Sequence, residues 1–584
     1  MNYLLRFSLL IIVVILQTTL IAQRQKNPLL KLPHESNPNT TATYQETIDW
    51  YTGFANQYPA LTLKEYGLSD IGKPIHLAII SKDGDTDPVS IRAKGKRILL
   101  VNNAIHPGEP CGVDATMQLV RDLMTRQDLK PLLDELVIVT IPIYNIGGAL
   151  YRNSHTRANQ NGPESYGFRG NIRHLDLNRD FIKCDSRNAL AFSTIFQEWM
   201  PDLFIDNHTS NGADYQYTMT IIATQHNKLG GKLGPYLNEQ LMPKLYGAMD
   251  SAGWEMTPYV YARETPDDGI MGFLDSPRYS SGYTGVFNTI GFIPEAHMLK
   301  PYKDRVAATY QFMVEVIQLL NGPEGKTIQQ LTAEQREAAK TQATFDIHWT
   351  LDKNKTEEIT FKGYEAGRKP SGITGSDRLY YDQSKPYEKK IPFRNHYKAD
   401  VTVNKPSFYV IPQAWKEVIE RLQVNSIQME RLEKDEQIAV ETYYIESEET
   451  TKFPYEGHYL HFNVQVNKRN EIIQFYKGDY RIPLNQSRNR YLMETLEPQA
   501  HDSFFAWGFF DSILQQKEHF SAYVFEDRAL ELIQTDKALH QKFEEKKQSD
   551  KTFAESPEQQ LQFIYECSHH YEVTHRRYPI YRIK

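Results

Sequence analysis

The 584-residue sequence predicts an α/β fold, with helices on both faces of a mixed, twisted sheet, followed by a β-rich and then a helical accessory region. Up to about residue 320, short apolar runs alternate with segments of helical periodicity. From about 346 to 480, apolar and polar residues alternate as in strands. From about 500 to 575, helical patterns dominate. These three observations predict three kinds of structure in succession along the chain.

The α/β part is predicted from five strand-like runs and two helical segments. The runs are RILLVNNA (97–104), LVIVTIPIYN (136–145), PDLFIDNH (201–208), MTIIATQ (219–225) and TIGFIPEAH (289–297). The segment 112–124 has helical periodicity, and the segment 186–200 places its large apolar residues on one helical face. Alternation of this kind predicts strands that are connected through helices.

The later part is predicted from a change of pattern. A polar stretch at 321–342 reads as a linker that leads into a solvated helix. Strands are predicted at EITFKGYE (358–365), KADVTVNKPSFYVIP (398–412), IAVETYYIE (438–446) and HFNVQVN (461–467). Helices are predicted at FFAWGFFDSILQQ (504–516), EDRALELIQ (526–534) and PEQQLQFIYECSHHY (557–571). The predicted divisions are 1–22, 23–40 (an extended segment), 41–320, 321–345 (linker and helix), 346–480 (β-rich) and 481–584 (mainly helical).

Bulk composition narrows the class of protein. Hydrophobic residues make up 40% and charged residues 24%, which is ordinary for a folded soluble chain. The net charge of −7 argues against a broad nucleic-acid-binding surface. Only three cysteines occur, and they are far apart, which excludes a disulfide scaffold and does not resemble a zinc–thiolate cluster.

The N-terminus has the pattern of a secretory signal peptide. Arg6 gives a short positive region, an apolar run follows from Phe7, and Ala22 is a small residue at a suitable cleavage point. An uncleaved membrane anchor is the alternative, because the run approaches the length of a span. We therefore expect a secreted or periplasmic protein with no membrane span after removal of residues 1–22.

Chemically competent side chains follow the predicted strands. His106 and Glu109 come after the run 97–104, and Pro107 and Gly108 between them keep this point out of a helix. His208 ends the run PDLFIDNH (201–208). Taken singly, each group favours a structural interpretation, such as a turn with a capping glutamate. Together they form a His, Glu, His set at neighbouring strand ends, which suits a zinc ion with one open position.

Three residues between these motifs extend the set. In HLDLNRDF (174–181), Arg179 offers a planar fork suited to a carboxylate, and Asn178 adds an amide donor. The structural alternative is an ion pair of Arg179 with a neighbour such as Asp180. Asp176 is placed to accept the second ring proton of a zinc-bound histidine.

Glu295 ends a third apolar run. Burial of a carboxylate there costs free energy unless the group is paired with another or has a chemical role. Glu295 is therefore the candidate general base. His297 is nearby, but a fourth protein ligand would close the open zinc position, so it is not assigned to the metal.

The ordered motifs HPGE, DLNRDF, DNH and PEAH resemble the zinc metallocarboxypeptidase family of the carboxypeptidase A type, over roughly residues 40 to 320. The segment GFIPEAHMLKPYKDRV also resembles large secreted bacterial members. The resemblance implies a zinc carboxypeptidase-like catalytic domain at 41–320. It also implies one Zn2+ per chain, a peptide or cell-wall peptide substrate, and hydrolysis of an amide bond near the C terminus.

The resemblance also implies a role for each matching residue. The matches are His106, Glu109 and His208 as zinc ligands, Glu295 as general base, Arg157 as oxyanion stabiliser, Asn178 and Arg179 as the carboxylate-binding pair, and Tyr279 as the substrate-binding tyrosine. Arg152, Arg169 and Arg173 compete with Arg157. Tyr283 and Arg278 compete with Tyr279, whose distance along the chain to Glu295 is short for the family.

Other functions remain open from the sequence. Zinc deacylases of the aspartoacylase and succinylglutamate desuccinylase type resemble the same set, although a secretory signal argues against metabolism of small acyl-amino acids inside the cell. A cell-wall peptide amidase and a non-catalytic peptide-binding protein on the same fold are further alternatives. Residue preference, exo or endo action, oligomeric state and the role of residues 346–584 are left undetermined.

Overall fold

A computed structural model describes residues 28–584 of the chain. Ten strands lie between residues 61 and 297, namely β1 (Leu61–Leu68), β2 (Pro74–Ile80), β3 (Arg97–Asn102), β4 (Leu136–Ile141), β5 (Leu203–Asp206), β6 (His208–Ser210), β7 (Met219–Ala223), β8 (Met256–Pro258), β9 (Ile270–Met271) and β10 (Ile290–His297). All except β9 form one mixed sheet, in the order β1-β2-β4-β3-β5-β10-β7-β8, with β6 on β10.

The centre of this sheet is parallel and fully buried. Strands β4, β3, β5 and β10 run parallel to their neighbours in that order, whereas β7 pairs with β10 antiparallel. Every residue of β3, β4 and β10 is buried, which explains why these strands are almost wholly apolar in sequence. Their carboxyl ends meet at one edge, where the predicted site residues lie.

Helices pack against this sheet. Those of six or more residues up to residue 321 are Tyr44–Ala55, Pro88–Ala93, Cys111–Thr125, Arg187–Trp199, Met242–Ser251, Ser280–Val286 and Tyr302–Asn321. Shorter helical segments lie at Pro28–Leu30, Pro33–Ser36, Lys130–Leu133, Ile146–Leu150, Leu177–Arg179, His226–Leu229, Leu233–Tyr236, Leu237–Leu241 and Pro266–Asp268. The helix Arg187–Trp199 begins where the Ser186 side chain accepts a hydrogen bond from the Ala189 amide, and it buries Phe192 completely. The predicted mixed α/β class is confirmed.

The later half contains three further sheets. Its strands are β11 (Thr344–Leu351), β12 (Glu357–Pro370), β13 (Asp377–Arg394), β14 (Tyr397–Asn404), β15 (Phe408–Ile411), β16 (Glu430–Arg431), β17 (Glu436–Thr450), β18 (His461–Phe475), β19 (Tyr480–Pro483) and β20 (Tyr581–Ile583). The sheet orders are β11-β14, β12-β13-β9 and β16-β19-β15-β20-β17-β18. Strand β9 of the first half therefore joins a sheet of the second, which ties the two halves together.

The helices after residue 321 are Pro323–Thr341, Lys416–Val424, Asn489–Leu496, Ala522–Thr535, Lys537–Ser549, Lys551–Ala554 and Pro557–Glu566, with a 3-10 turn at Asp511–Leu514. The stretch expected as a linker and solvated helix thus forms the helix Pro323–Thr341 with few buried residues. The last four helices enclose a small apolar cluster of their own around Phe525, Phe543 and Phe553.

One predicted helix is wrong. Residues 504–516 form turns and a short 3-10 segment instead of a continuous helix. Gly508 has a positive φ of 75°, which interrupts helical geometry. Phe504, Phe505, Trp507 and Phe510 are all completely buried, so core packing decides the local conformation. The apolar composition of this stretch predicted that its side chains are buried, but it did not predict the backbone conformation.

The predicted signal peptide at 1–22 lies outside the described residues, as does the start of the extended segment at 23–40. Within residues 28–584, none of the helices combines the length and apolar character needed to span a bilayer.

Candidate metal centre

The HPGE motif forms a tight turn directly after β3. The Glu109 amide donates to the His106 carbonyl at 2.8 Å, and Ala104 just before the turn has a positive φ of 54°. A Cβ on Gly108 would lie 2.6 Å from Cδ of Arg157 and 3.1 Å from the Gly167 carbonyl oxygen. Glycine therefore lets an arginine pack against the turn, while His106 and Glu109 project from it.

The three candidate ligands converge in the protein interior. One ligand atom each from His106, Glu109 and His208 lies within 4.8 Å of the others, and all three residues are buried. Nδ1 of His106 lies 3.4 Å from one Glu109 carboxylate oxygen, and Nδ1 of His208 lies 3.2 Å from the other. The fold thus places the loop after β3, with His106 and Glu109, next to the start of β6, with His208.

A carboxylate stands behind each histidine. Nε2 of His106 lies 2.8 Å from Oδ1 of Asp176, and Nε2 of His208 lies 3.1 Å from Oδ2 of Asp206. With a metal bound, these carboxylates would favour a proton on each Nε2 and leave each Nδ1 as the ligand atom on the side of Glu109. The buried Nδ1 of His106 has no hydrogen-bond partner among residues 28–584. This donor set, two imidazoles and one carboxylate with outer carboxylates, fits a catalytic zinc ion.

The electrostatics of the cluster favour a cation at its centre. Burial alone would raise the pKa of Glu109, but Arg157 and His106 hold it well below its usual range. Burial alone would lower the pKa of His208, but Asp206 and Glu109 raise it well above the usual value. Burial also opposes ionisation of Asp176, yet His106 and Arg169 lower its pKa. The carboxylates are therefore ionised and create a field that attracts positive charge.

Glu295 lies beside the ligands on β10. Its backbone is paired with His208 of β6 in parallel register, and with Thr220 of β7 on the other side. Burial raises its pKa to about 8, an effect that the nearby His208 opposes and Glu109 reinforces. The sheet itself thus holds a carboxyl group of raised pKa next to the candidate metal position.

A cavity of about 170 Å³ opens onto this cluster. It is lined by His106, Glu109, Arg157, Arg169, Asn178, Arg179, His208, Tyr279 and Glu295, together with Thr209, Ser210, Asn211, Ile222, Tyr259, Phe273 and Ile293. All of the site residues proposed from the sequence line it except Asp176, which lies behind His106. His297 does not line it, because its ring stacks on Tyr215 at 4.2 Å.

The structure separates the competing arginines. Arg157 donates from Nη1 to Glu109 at 2.9 Å and from Nε to Gln160 at 2.7 Å. Arg169, which also lines the cavity, donates from Nε to Asp176 at 3.0 Å. Arg152 bonds instead to the carbonyls of Thr41 and Ala42, and Arg173 to that of Asp185. Of these four arginines, Arg157 and Arg169 therefore line the cavity at the cluster.

Asn178 and Arg179 are both held in place by their neighbours. Asn178 accepts a hydrogen bond from the Ser280 amide at 3.2 Å, and Arg179 donates from Nη1 to the Asn178 carbonyl at 2.8 Å. The guanidinium carbon of Arg179 lies 4.4 Å from the ring centroid of Tyr279. Arg179 does not form the ion pair with Asp180 considered from the sequence; Asp180 instead bonds to Lys183 at 2.8 Å.

The competitors of Tyr279 point elsewhere. Tyr283 is completely buried and donates its hydroxyl hydrogen bond to Asn425 at 2.7 Å. Arg278 pairs with Asp502 at 2.7 Å. Of the three candidates for the substrate-binding side chain, Tyr279 alone is among the residues that line this cavity.

Sequence reasoning missed several members of the site. Asp206 stands two residues before His208, and this i, i+2 spacing along extended backbone was a usable signal. Gln160, which bonds to both Arg157 and the Gly108 carbonyl, carried no such signal. Tyr455, which contacts Arg179, is 276 residues away in sequence and could not have been found by spacing.

A second, larger cavity adjoins the first. It measures about 320 Å³ and shares Ile222, Tyr259 and Phe273 with the cavity at the metal cluster. Its other lining residues combine apolar side chains, such as Leu237, Met242, Tyr246, Met256 and Phe393, with polar ones, such as Gln225, His226, Asn238 and Glu357.

The sequence of this chain is similar to those of known carboxypeptidases. Residues 47–229 match the family described as zinc carboxypeptidase. A carboxypeptidase 2 from Trichophyton tonsurans is 23% identical over 424 residues, covering 70% of this chain and 73% of that protein. A carboxypeptidase 2 from Trichophyton rubrum is 22% identical over 425 residues, with the same coverage. These matches confirm the predicted family resemblance and the predicted enzyme class, a zinc metallocarboxypeptidase that hydrolyses peptide bonds.

The solved structures to which the chain is similar include two carboxypeptidases. A metallo-carboxypeptidase from Burkholderia cenocepacia is 16% identical, with a TM-score of 0.36 over 48% of this chain and 69% of that one. Carboxypeptidase A from Helicoverpa armigera is 15% identical, with a TM-score of 0.37 over 54% of this chain and 78% of that one.

Proposed function

We propose that this chain, which carries the zinc carboxypeptidase match, hydrolyses an amide bond near the C terminus of a peptide outside the cytoplasm. One zinc ion per chain would be held by His106, Glu109 and His208. The observation that carries the proposal is the shared cavity, which three buried ligands, the carboxylate of Glu295 and the Asn178–Arg179 pair all line.

Glu295 is the proton carrier in this proposal. It accepts a proton from the attacking water and returns it to the leaving amine, which a carboxyl with a pKa near 8 is suited to do around neutral pH. Arg157, whose Nη1 lies beside the ligands, stabilises the charge that develops on the scissile carbonyl oxygen. A zinc ion at the three ligands would act as a Lewis acid toward water and the carbonyl oxygen.

Arg179 and Asn178 position the substrate. Their donors are suited to a free carboxylate, and Tyr279 packs on the guanidinium. We further propose that the side chain of the terminal residue points toward the larger adjoining cavity. Because Leu237, Met242, Tyr246 and similar residues line that cavity, large apolar or aromatic terminal residues are the expected preference.

Secretion is part of the proposal and rests on the pattern of residues 1–22. It makes extracellular or cell-wall peptides the accessible substrates. Mass spectrometry of the protein recovered from its native host tests this point. A mature chain that starts after Ala22, in the medium or periplasm, is expected, and an intact N-terminus in the cytoplasm would contradict secretion.

The activity itself is tested with a substrate library and product analysis by mass spectrometry, with and without a chelator. The library contains peptides with free and amidated C termini, muropeptides and N-acyl amino acids. Loss of single C-terminal residues from free-acid peptides, abolished by the chelator and restored by zinc, is expected. Hydrolysis confined to N-acyl amino acids would favour a deacylase, and zinc binding without hydrolysis would favour a binding protein.

A further inference from the structure

The carboxylate-binding arginine is contacted by a loop from outside the matched domain. We propose that Tyr455 on this loop is a positioning residue, which orients Arg179 so that the site selects substrates with a free C-terminal carboxylate. This inference rests on the role of Arg179 in the proposed function. It assigns to the β-rich region a part in substrate selection.

The loop between β17 and β18 is itself well ordered by hydrogen bonds. The Thr451 amide donates to the Leu460 carbonyl at 2.9 Å, which closes its base. At its tip, Tyr455 and His458 exchange backbone hydrogen bonds of 2.7 and 3.1 Å, with Glu456 at a positive φ of 51°. A tip of this kind presents its side chains in a fixed direction.

Two contacts anchor the tip to the segment that carries Arg179. The Asp176 amide donates to the Glu456 carboxylate at 2.7 Å. Nε2 of His458 lies 2.7 Å from the carboxylate of Asp185. These contacts lie on both sides of Arg179 in sequence, so the loop is docked across the segment and does not touch it at a single point.

Tyr455 directly precedes Glu456, the first of these anchors, and meets Arg179. Nε of Arg179 donates to the Tyr455 hydroxyl at 2.9 Å. The Tyr455 ring is stacked on Trp507 with centroids 6.2 Å apart, and Arg278 lies over both rings. The hydroxyl therefore belongs to a side chain that is held in place by aromatic packing.

This contact decides which edge of the guanidinium remains available. Nε is taken by Tyr455, and one Nη1 hydrogen by the Asn178 carbonyl. Nη2 of Arg179 makes no hydrogen bond within the described part of the chain. A carboxylate that binds in bidentate fashion needs two parallel N–H groups, and the edge formed by the two Nη atoms supplies them. Without the Tyr455 hydroxyl, the guanidinium keeps only the Asn178 carbonyl and the Tyr279 ring as partners, and its Nε edge becomes available as well.

Binding of N-acetyl-phenylalanine and of its amide to the full chain tests the proposal by isothermal titration calorimetry. In Tyr455→Phe, the dissociation constant for the acid should rise roughly 3- to 10-fold, the effect of losing one hydrogen bond of ordinary strength that acts through Arg179 and not on the ligand itself. The constant for the amide should not change. Tyr459→Phe, in the same loop, is the matched control, because no hydrogen bond of its half-exposed hydroxyl occurs within residues 28–584.

The outcomes separate this inference from the proposed function. A change of less than about twofold for the acid in Tyr455→Phe, or equal changes for acid and amide, overturns it. The inference is also overturned if the wild-type chain does not bind the acid more tightly than the amide. If the wild type shows that preference, Tyr455→Phe loses it and yet no peptide is hydrolysed, the inference stands and the proposed function fails.

Discussion

Asp206 gives the sharpest test of the metal centre, because Asp206→Asn changes the proton position and one charge beside His208 with almost no change in side-chain shape. The side chain is completely buried, with Oδ1 accepting from Nδ2 of Asn102 at 3.0 Å and Oδ2 facing Nε2 of His208 at 3.1 Å. With Oδ1 kept toward Asn102, an amide at position 206 presents an N–H group to His208. Nε2 must then become an acceptor, which moves the ring proton to Nδ1, on the side of Glu109.

The size of the effect follows from that geometry. A proton on Nδ1 of His208 removes one of the three ligand atoms unless the ring adopts the unfavourable tautomer. Loss of an outer hydrogen-bond partner typically weakens metal binding by about 10- to 100-fold, or roughly 1.4 to 2.7 kcal/mol. Because the amide also removes a negative charge beside a buried histidine, we expect a value in the upper part of this range.

Competition between the protein and a chromophoric chelator measures the zinc dissociation constant directly. Asp122→Asn is the matched control. Its carboxylate is also largely buried and bonds to Arg121 and Tyr310, but it lies on the helix Cys111–Thr125, away from both histidines. Circular dichroism of both variants shows whether the fold is retained.

A zinc affinity for Asp206→Asn that equals that of Asp122→Asn, in protein of wild-type fold, would refute this account of His208. It would mean that the Nδ1 atom is not the ligand, or that the tautomer of this ring is set by another group.

Other perturbations test the remaining parts of the site and the fold. Glu295→Gln should lower kcat by about 10²- to 10⁴-fold, because the proton carrier is lost, while zinc content by elemental analysis stays at one per chain. Gly108→Ala should lower kcat/KM about tenfold or more, because the new Cβ would meet Arg157 at 2.6 Å; Gly247→Ala, with nothing within 4 Å, should leave peptide hydrolysis unchanged. Phe192→Ala should reduce the free energy of unfolding by about 3–5 kcal/mol in urea titrations, because it empties a completely buried aromatic site; a loss below about 1 kcal/mol would contradict this packing argument.

The elements of the α/β domain were predictable because strands that are buried on both faces consist mainly of apolar residues. Strands β3, β4 and β10 are buried on both faces, so each contains a run of consecutive apolar residues. The polar residues that follow such runs stand out against them. This contrast, together with the order of the motifs, is why His106 and Glu295 could be proposed from the sequence alone.

What the sequence left open depends on packing between distant segments. The choice between Tyr279 and Tyr283 required the helix Ser280–Val286, which turns Tyr283 into the core. The Tyr455 contact with Arg179 requires the docking of the β17–β18 loop across the first half of the chain. No periodicity or spacing encodes such a contact, because its free energy arises only when both halves are folded.

The position of β10 in the sheet has a consequence for biosynthesis. This strand lies between β5 and β7, although both precede it in the chain by more than sixty residues. While the chain is emerging from the ribosome, the two halves of the sheet have no central strand to join them. The strand that completes the sheet also delivers Glu295 into register with His208. A chain that has not yet reached β10 therefore lacks Glu295, the proposed base, and the proposed activity would arise only once the strand that completes this sheet is in place.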